Sequence, residues 1–233
     1  MINKESKITA LVPARAGSKG ILNKNIAITG GLPLIAWTLN TVANSTTEFR
    51  LVVTTDSRSI AEVALNFGAE IVDRPAELAR DESPTEPALI HALESLGAGF
   101  SDIVVLLQPT SPVRLPGTLD RALAEFTSEQ FDSLVGVVEE SPFLWTGDSS
   151  HPAPQYAVDS RPRRQDFDSV ERFYRETGSL YIFRYGPMAA VANRIHGRVG
   201  LFVLDDREGL DIDTPYDLAI ADCMLRREGV VKS

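Results

Sequence analysis

Short apolar segments alternate with helix-start signals through the first 140 residues. Residues 8–12, 51–54 and 102–107 have the length and apolar character of buried strands. The last of them is almost wholly apolar, as in a central parallel strand. Because strands that alternate with helices build βαβ units, the sequence predicts an α/β fold in three layers. Its sheet is mostly parallel and is covered by helices on both faces.

Two segments have the pattern of a capped helix start. Ser83 is placed to cap a helix and Pro84 suits its first turn, while Glu86 stands three residues after the serine. This arrangement predicts a capping box. Residues 214–217 repeat the pattern, again with an acidic residue at the third position after the cap. The sequence therefore predicts that a helix begins at each of these two places.

The regular pattern breaks after residue 139. Residues 141–173 show no clean period and contain four prolines, and the segment is longer than the connecting loops of compact domains. Its aromatic side chains need a surface to cover them. We therefore predict a single domain over residues 1–233, with residues 141–173 inserted as a dimerisation arm of a homodimer. The aromatic residues of the arm are Phe143, Trp145, Tyr156, Phe167 and Phe173.

The charge of the chain narrows the classes of partner. A formal net charge of −9 opposes binding to nucleic acid or to an anionic membrane, so neither is expected as a partner. Basic residues nevertheless concentrate in residues 1–25 and 161–175, which indicates either a small polyanionic ligand or two solvated charged faces. No apolar run reaches the roughly 18 residues of a membrane span. A single cysteine, Cys223, and the lack of a signal-peptide core favour a cytoplasmic setting.

A glycine-containing basic segment follows the first predicted strand. Gly17 and Gly20 would allow backbone N–H groups to approach a phosphate closely. Arg15, Lys19 and Lys24 add fixed positive charge. The spacing matches neither the P-loop of NTPases nor the glycine fingerprint of dinucleotide-binding folds. Because ligands bind beyond the carboxyl ends of parallel strands, the segment predicts a phosphate-binding loop, and the alternative is an exposed basic turn.

Asp211 and Asp213 form the second motif. If residues 210–213 are extended, the two carboxylates point to the same side just before a predicted helix. Mg²⁺ commonly takes one or two protein carboxylates and completes its octahedron with water and substrate phosphate. The pair therefore predicts half of a Mg²⁺ site, with Mn²⁺ as a substitute ion. The alternative is that one aspartate only caps the helix.

Amide and hydroxyl side chains follow the most apolar predicted strand. Gln108, Thr110 and Ser111 stand in a segment that two prolines stiffen. Their side chains can donate and accept hydrogen bonds to the hydroxyl groups of a sugar or a ribose. The segment therefore predicts a contact to such a ligand, and the alternative is a rigid turn with no ligand.

Arginines concentrate again in the arm. Arg163 and Arg164 carry planar guanidinium groups, and Gln165 follows them. Guanidinium groups of this kind pair well with a carboxylate or a phosphate. The segment therefore predicts a contact to an acidic ligand, and the alternative is a solvated arm.

Together these segments resemble the CMP-acylneuraminate synthetase family, the CMP-sialic acid synthetases. The sequence departs from the family pattern at Leu22, where members usually have proline, and at Thr177-Gly178, where many have Asn-Gly. Each matching block is short, but the blocks fall in the family's order and span nearly the whole chain. The blocks are residues 14–25, 74–79, 106–114, 163–166 and 211–215.

The resemblance implies a Rossmann-like nucleotidyltransferase domain that depends on Mg²⁺. It also implies a homodimer in which each arm helps to complete the partner's site. Catalytic roles fall to Lys24, Arg15, Asp211 and Asp213, of which the two aspartates hold the metal. The implied nucleotide-binding residues are Arg15, Ser18, Lys19, Lys24, Asn25, Arg74 and Thr85. The implied sugar-binding residues are Gln108, Thr110, Ser111, Arg163, Arg164, Gln165 and Thr177.

The activity that the resemblance implies is transfer of CMP from CTP to the anomeric hydroxyl of an acidic nine-carbon sugar. Such sugars are the nonulosonic, sialic-type acids, and the second product is pyrophosphate. One alternative is a cytidylyltransferase for a different acidic sugar, such as the eight-carbon KDO. Another is a catalytically silent sugar-nucleotide-binding protein. That protein would most naturally have lost Lys24, Asp211 or Asp213, and all three are present.

Overall fold

A computed structural model describes residues 7–17, 20–141, 143–161, 163 and 172–228 of the chain. The strands in these residues are β1 (Ile8–Pro13), β2 (Ile28–Thr29), β3 (Leu32–Pro33), β4 (Arg50–Thr55), β5 (Glu70–Asp73), β6 (Ile103–Leu106), β7 (Ser133–Glu140), β8 (Trp145–Asp148), β9 (His151–Pro154), β10 (Phe173–Arg184) and β11 (Val199–Val203). The α-helices are α1 (Leu34–Ala43), α2 (Arg58–Leu65), α3 (Thr85–Ser95), α4 (Thr118–Ser128), α5 (Tyr185–Val191) and α6 (Pro215–Glu228). Short 3-10 helices span Lys24–Ile26, Ala76–Leu78 and Asp206–Gly209.

Within the described residues, seven strands form one sheet in the order β11-β7-β10-β6-β1-β4-β5. β1 pairs in parallel with β4 and β6, β4 with β5, and β7 with β11. β10 runs antiparallel to both β6 and β7. The predicted α/β fold with a mostly parallel sheet is confirmed. The direction of β10 reflects the return of the chain from the arm, which local sequence patterns do not reveal.

Helices cover both faces of this sheet because successive residues of a strand point to opposite sides. Ala10 and Val12 of β1 face one apolar cluster, to which α1, α2 and α4 contribute. Leu11 faces the other cluster, with side chains from α3 and α5. A third, smaller cluster joins α6 to α1 through Leu225 and Leu34. None of the described helices combines the length and the apolar character that crossing a bilayer requires.

Both predicted helix starts are confirmed, since α3 begins at Thr85 and α6 at Pro215, but the capping bonds of the two helices differ. The predicted capping box at α3 is wrong, because the Ser83 hydroxyl donates to the Glu77 carbonyl at 2.8 Å and Pro84 occupies the cap position. At α6 the reciprocal bonds are present. The Asp217 carboxylate accepts from the Thr214 N–H at 2.8 Å, and the Thr214 hydroxyl accepts from the Asp217 N–H at 3.2 Å. This cap fixes the point at which the segment holding Asp213 turns into α6.

The described part of the arm contains a hairpin, with β8 and β9 forming a separate two-stranded sheet. Aromatic side chains gather at its base. The ring of Tyr156 lies 5.2 Å from that of Phe143 and 5.9 Å from that of Trp145, both in edge-to-face geometry. The Arg161 guanidinium lies 4.6 Å from the centre of the Phe143 ring. Phe167, which also belongs to the predicted arm, lies outside the described residues.

Candidate active site

A cavity of about 320 Å³ opens where several strands of the sheet end. Three of its walls follow the carboxyl ends of β1, β5 and β6, the edge at which open parallel sheets bind ligands. A fourth wall comes from the segment before α6. The residues that line it are Pro13, Arg15, Gly17, Lys24, Asn25, Arg74, Leu78, Arg80, Ser83, Pro84, Thr85, Ala88, Gln108, Pro109, Thr110, Asp211 and Asp213.

The basic segment after β1 is held as a loop by bonds from its neighbours. The Asn25 amide donates to the Arg15 carbonyl at 3.0 Å, and the Ala16 N–H donates to Asp56 at 2.8 Å. Asn23 has a left-handed backbone, with φ of 52°, and this turn leads into the 3-10 helix that begins at Lys24. Asn25 therefore lines the cavity and also fixes the loop that carries Arg15.

Lys24 connects the basic loop to the aspartate pair near the other end of the chain. Its side chain is only 11% exposed, and its ammonium group donates to the Ile212 carbonyl. The same nitrogen lies 3.5 Å from Asp213 Oδ1. An ammonium group that is nearly buried between these partners is a fixed positive charge in the cavity wall, beside the Asp213 carboxylate, and such a charge can bind a phosphate.

The two aspartates face the cavity because the residue between them faces the core. Ile212 is fully buried, and its N–H donates to the Thr110 carbonyl at 2.8 Å. Asp211 accepts a 3.4 Å bond from the Ser111 hydroxyl, while the Asp213 side chain is 81% exposed. Gly20 packs against this segment, since a Cβ there would lie 2.4 Å from the Asp213 carbonyl oxygen.

The donor set of this pair fits Mg²⁺, which needs one or two carboxylates and leaves its other positions to water and phosphate. Asp211 and Asp213 would be the residues that hold it. In the described residues no cluster of three or more His, Cys, Asp or Glu side chains offers a metal site. A site with two carboxylates leaves the remaining coordination positions to a substrate.

Arg74 provides a buried cation on the inner wall. It follows β5, and its guanidinium donates to the Thr54 carbonyl at 2.9 Å. Burial lowers the pKa of Arg74, and the nearby carboxylate of Asp56 opposes that shift. Within the described part of the chain its buried Nε–H has no hydrogen-bond partner. A buried donor left unpaired is costly, so this group is available for a ligand.

The loop after β6 presents Gln108 to the cavity, and its backbone is held by a buried arginine. The guanidinium of Arg114 donates to the Ser179 carbonyl at 2.7 Å, the Gln108 carbonyl at 2.9 Å and the Thr38 hydroxyl at 2.9 Å. Burial lowers the pKa of Arg114 to about 10. A Cβ on Gly178 would lie 2.1 Å from Gln108 Oε1, so the absence of a side chain at position 178 leaves room for the Gln108 amide.

Most of the residues proposed from sequence meet in this cavity, but some do not. Ser111 is fully buried behind Asp211. Thr177 is also buried, and its hydroxyl donates to the Gly136 carbonyl at 3.0 Å in an irregular stretch of β10. Its side chain is thus bonded within the sheet and does not line the cavity. Arg163 is exposed in the arm and is likewise not a lining residue. Ser18, Lys19, Arg164 and Gln165 lie outside the described residues.

The resemblance implied only part of the wall formed by the segment before α3, namely the backbone near residues 82–85. Ser83, Pro84 and Thr85 do line the cavity, and sequence reasoning missed Leu78 and Arg80, which line it as well. The signal that indicates this wall is position, because the segment directly follows the carboxyl end of β5, at the same edge as the loops after β1 and β6. A further cation, Arg80, therefore joins the positive charges of the cavity.

The family model described as cytidylyltransferase matches residues 9–184. The chain belongs to the cytidylyltransferase family. The resemblance found from the sequence is therefore confirmed at the level of the family. The model covers the loop after β1, the segment before α3 and the loop after β6, which supply most of the cavity walls.

Two relatives in this family are about a third identical to the chain over the aligned residues. N-acylneuraminate cytidylyltransferase A of Danio rerio is 31% identical over 231 residues, which is 97% of this chain and 52% of the relative. CMP-N,N'-diacetyllegionaminic acid synthase of Legionella pneumophila is 32% identical over 234 residues, which is 94% of this chain and 96% of the relative. The chain thus spans about half the length of the Danio relative and nearly all of the Legionella relative.

Solved structures support the fold. The structure of CMP:2-keto-3-deoxy-manno-octonic acid synthetase complexed with CTP superposes with a TM-score of 0.71 at 16% identity, covering 96% of this chain and all of that one. 4-Diphosphocytidyl-2C-methyl-D-erythritol synthase gives a TM-score of 0.69 at 15% identity, with the same coverage. At these identities the likeness shows a shared α/β architecture.

Proposed function

We propose that the chain transfers CMP from CTP to the anomeric hydroxyl of a nonulosonic, sialic-type acid and releases pyrophosphate. The observation that carries the proposal is the convergence of Lys24, Asp211 and Asp213 in one cavity. Arg15 and Arg74 add further positive charge to the same walls. The named activities of the Danio and Legionella relatives support this reaction and this class of sugar.

In this reaction the anomeric oxygen forms a bond to the α-phosphorus of CTP, in line with the bridging oxygen to the β-phosphate. The bond between the α-phosphorus and that bridging oxygen breaks, pyrophosphate leaves with the electron pair, and the hydroxyl proton passes to a base, either an aspartate of the cavity or water. Positioning and charge stabilisation dominate such a transfer. Lys24 and Arg15 supply fixed positive charge to the phosphates. Mg²⁺ held by Asp211 and Asp213 would neutralise further negative charge on the triphosphate when it is bound.

The polar residues after β6 suit the sugar substrate. Gln108 and Thr110 line the cavity beside Asp211, so a ligand that reaches the aspartates also meets an amide and a hydroxyl group. We propose that these two residues contact the acidic sugar.

We also propose a cytoplasmic location. The chain has one cysteine, Cys223, and so forms no internal disulfide, which is typical of proteins in a reducing compartment.

We expect CTP to be preferred over UTP. A pocket that accepts a hydrogen bond from the exocyclic amine of cytosine leaves that acceptor unpaired when uracil enters. Arg74 and the backbone near residues 82–85 are proposed to face the base, and a backbone carbonyl of that segment is the acceptor, because a guanidinium group only donates. An unpaired buried group costs enough to lower kcat/KM by about 10- to 100-fold. Steady-state kinetics with both nucleotides, at a fixed concentration of N-acetylneuraminic acid, measure the ratio, and equal kcat/KM values would contradict this assignment.

We also propose that the chain forms a homodimer through the arm. Trp145 in the hairpin is 50% exposed. β11 is an edge strand of the main sheet, and it leaves a second apolar surface on one of its faces. The residues of that face are Val199, Leu201 and Val203, which are 42%, 47% and 51% exposed. Two apolar surfaces on one chain are covered most simply by a second copy of the same chain.

The dimer is tested by light scattering coupled to size-exclusion chromatography at micromolar concentration. The wild-type chain is expected to elute with the mass of two chains, and Trp145→Arg is expected to shift the mass towards one chain. Leu65→Ser is the matched control, because Leu65 is 58% exposed on α2, away from the arm. A wild-type chain that is monomeric under these conditions would rule out the dimer.

A further inference from the structure

Arg15 is already paired with a carboxylate in this structure. Its guanidinium donates to Asp81 Oδ1, and the two residues are 66 positions apart in the chain. Arg15 lies in the loop after β1, and Asp81 lies in the segment between the 3-10 helix Ala76–Leu78 and α3. Their side chains are 32% and 33% exposed, so the pair is open to solvent at the mouth of the cavity.

The segment that carries Asp81 is part of the cavity wall. Arg80 and Ser83, on either side of Asp81, line the cavity. The Ser83 hydroxyl donates to the Glu77 carbonyl at 2.8 Å, and the Ser83 N–H donates to the Arg80 carbonyl at 3.2 Å. These bonds fold the segment back on itself, so Asp81 is held at the rim and faces Arg15.

Carboxylate and phosphate groups use the same donors of a guanidinium. If Arg15 binds a phosphate of CTP, as the proposed function requires, that phosphate must share or replace the contact to Asp81. The carboxylate also places a negative charge close to a highly negative ligand. The Asp81 carboxylate thus places a negative charge of the protein where the phosphates of CTP are proposed to bind.

We propose that Asp81 is a positioning residue that holds Arg15 while the cavity carries no phosphate and competes with the incoming phosphate for its guanidinium. The pair keeps the long arginine side chain at the mouth of the cavity between turnovers. The competition lowers the affinity for CTP and also for pyrophosphate, the product that must leave. Asp81 therefore sets how tightly the site retains polyphosphates.

Asp81→Asn tests the proposal because asparagine keeps a hydrogen-bond acceptor for Arg15 and removes only the charge. Partly exposed ion pairs are weak, so we expect CTP and inorganic pyrophosphate to bind about two- to fivefold more tightly. Isothermal titration calorimetry at fixed ionic strength measures both affinities. Cytidine, which has no phosphate, is the third probe, and its affinity is expected to stay unchanged.

Glu77→Gln is the matched control, since Glu77 is exposed in the same segment and the substitution makes the same change in net charge. Asp81→Asn is expected to tighten CTP binding more than this control does. The difference is expected to disappear when both variants also carry Arg15→Ala. Damage to the fold would weaken binding, so a gain in affinity separates this role from a purely structural one.

Equal CTP affinities for Asp81→Asn and Glu77→Gln would overturn the proposal. Weaker CTP binding by Asp81→Asn, or an equal gain for cytidine, would overturn it as well. The proposed function fails in a different way, namely if the wild-type chain binds CTP but forms no CMP-sugar with any nonulosonic acid. That result would leave the competition between Asp81 and phosphate standing.

Discussion

Replacing Asp213 with asparagine is expected to lower kcat/KM for CMP-sugar synthesis by about 100-fold or more. Asp213 is one of two carboxylates at the cavity, and it is the partner of the nearly buried Lys24 ammonium group. Its own side chain is 81% exposed, so the free energy of unfolding is expected to change by less than about 0.5 kcal/mol. Initial rates and chemical denaturation of the same preparations measure the two effects.

Asp206→Asn is the control for this substitution. Asp206 is exposed in the 3-10 helix that precedes the aspartate pair, and it does not line the cavity. The control is expected to stay within about twofold of the wild-type rate, as surface substitutions generally do.

EDTA is expected to abolish turnover, and added Mg²⁺ or Mn²⁺ is expected to restore it. Full turnover in EDTA, or a normal rate for Asp213→Asn, would remove the metal assignment.

Lys24→Ala is expected to lower kcat by about 10²–10³-fold, the usual cost of losing one donor that stabilises charge in a transition state. The Lys24 ammonium group lies between the Ile212 carbonyl and Asp213, and in the proposed reaction it would meet the α-phosphate. Charge on that phosphate is redistributed during transfer. The loss is therefore expected in kcat more than in KM for CTP, and steady-state kinetics separate the two.

Two further substitutions at this position separate charge from packing. Lys24→Met keeps most of the buried stem and removes the ammonium group, so it is expected to be as slow as Lys24→Ala but closer to wild type in stability. Lys24→Arg is expected to restore only part of the rate, because a planar guanidinium replaces a compact charge poorly. If Lys24→Ala changes only KM, the residue binds substrate alone and the catalytic role passes to Arg15 or to the metal.

The sequence predicts those parts of the fold that residues close together in the chain determine. The short apolar runs at β1, β4 and β6 indicate strands without any knowledge of distant residues, and the cap at Thr214 follows from four consecutive residues. The direction of β10 depends on how the chain returns from the arm. The capping box predicted at Ser83 is absent because the Ser83 hydroxyl donates to the Glu77 carbonyl instead.

The candidate site likewise contains residues that the sequence predicts and contacts that it does not predict. Arg15, Lys24 and the aspartate pair are visible in the sequence because charged residues at glycine-rich turns and alternating carboxylates are short motifs. The contacts that organise them are not visible, since Lys24 meets Ile212 across 188 positions and Arg15 meets Asp81 across 66. For Thr177 the resemblance implied a sugar contact, but its side chain bonds within the sheet.

Release of pyrophosphate from CTP in the presence of Mg²⁺ and single acidic sugars tests the proposed function most directly. The panel comprises N-acetylneuraminic, legionaminic and pseudaminic acids, the deaminated nonulosonic acid, and KDO. We expect pyrophosphate and an equal amount of CMP-sugar, identified by mass spectrometry, with at least one nonulosonic acid, and a much lower rate with KDO. Fastest turnover with KDO would assign the chain to a different sugar, and CTP binding without product from any acid would show a silent binding protein.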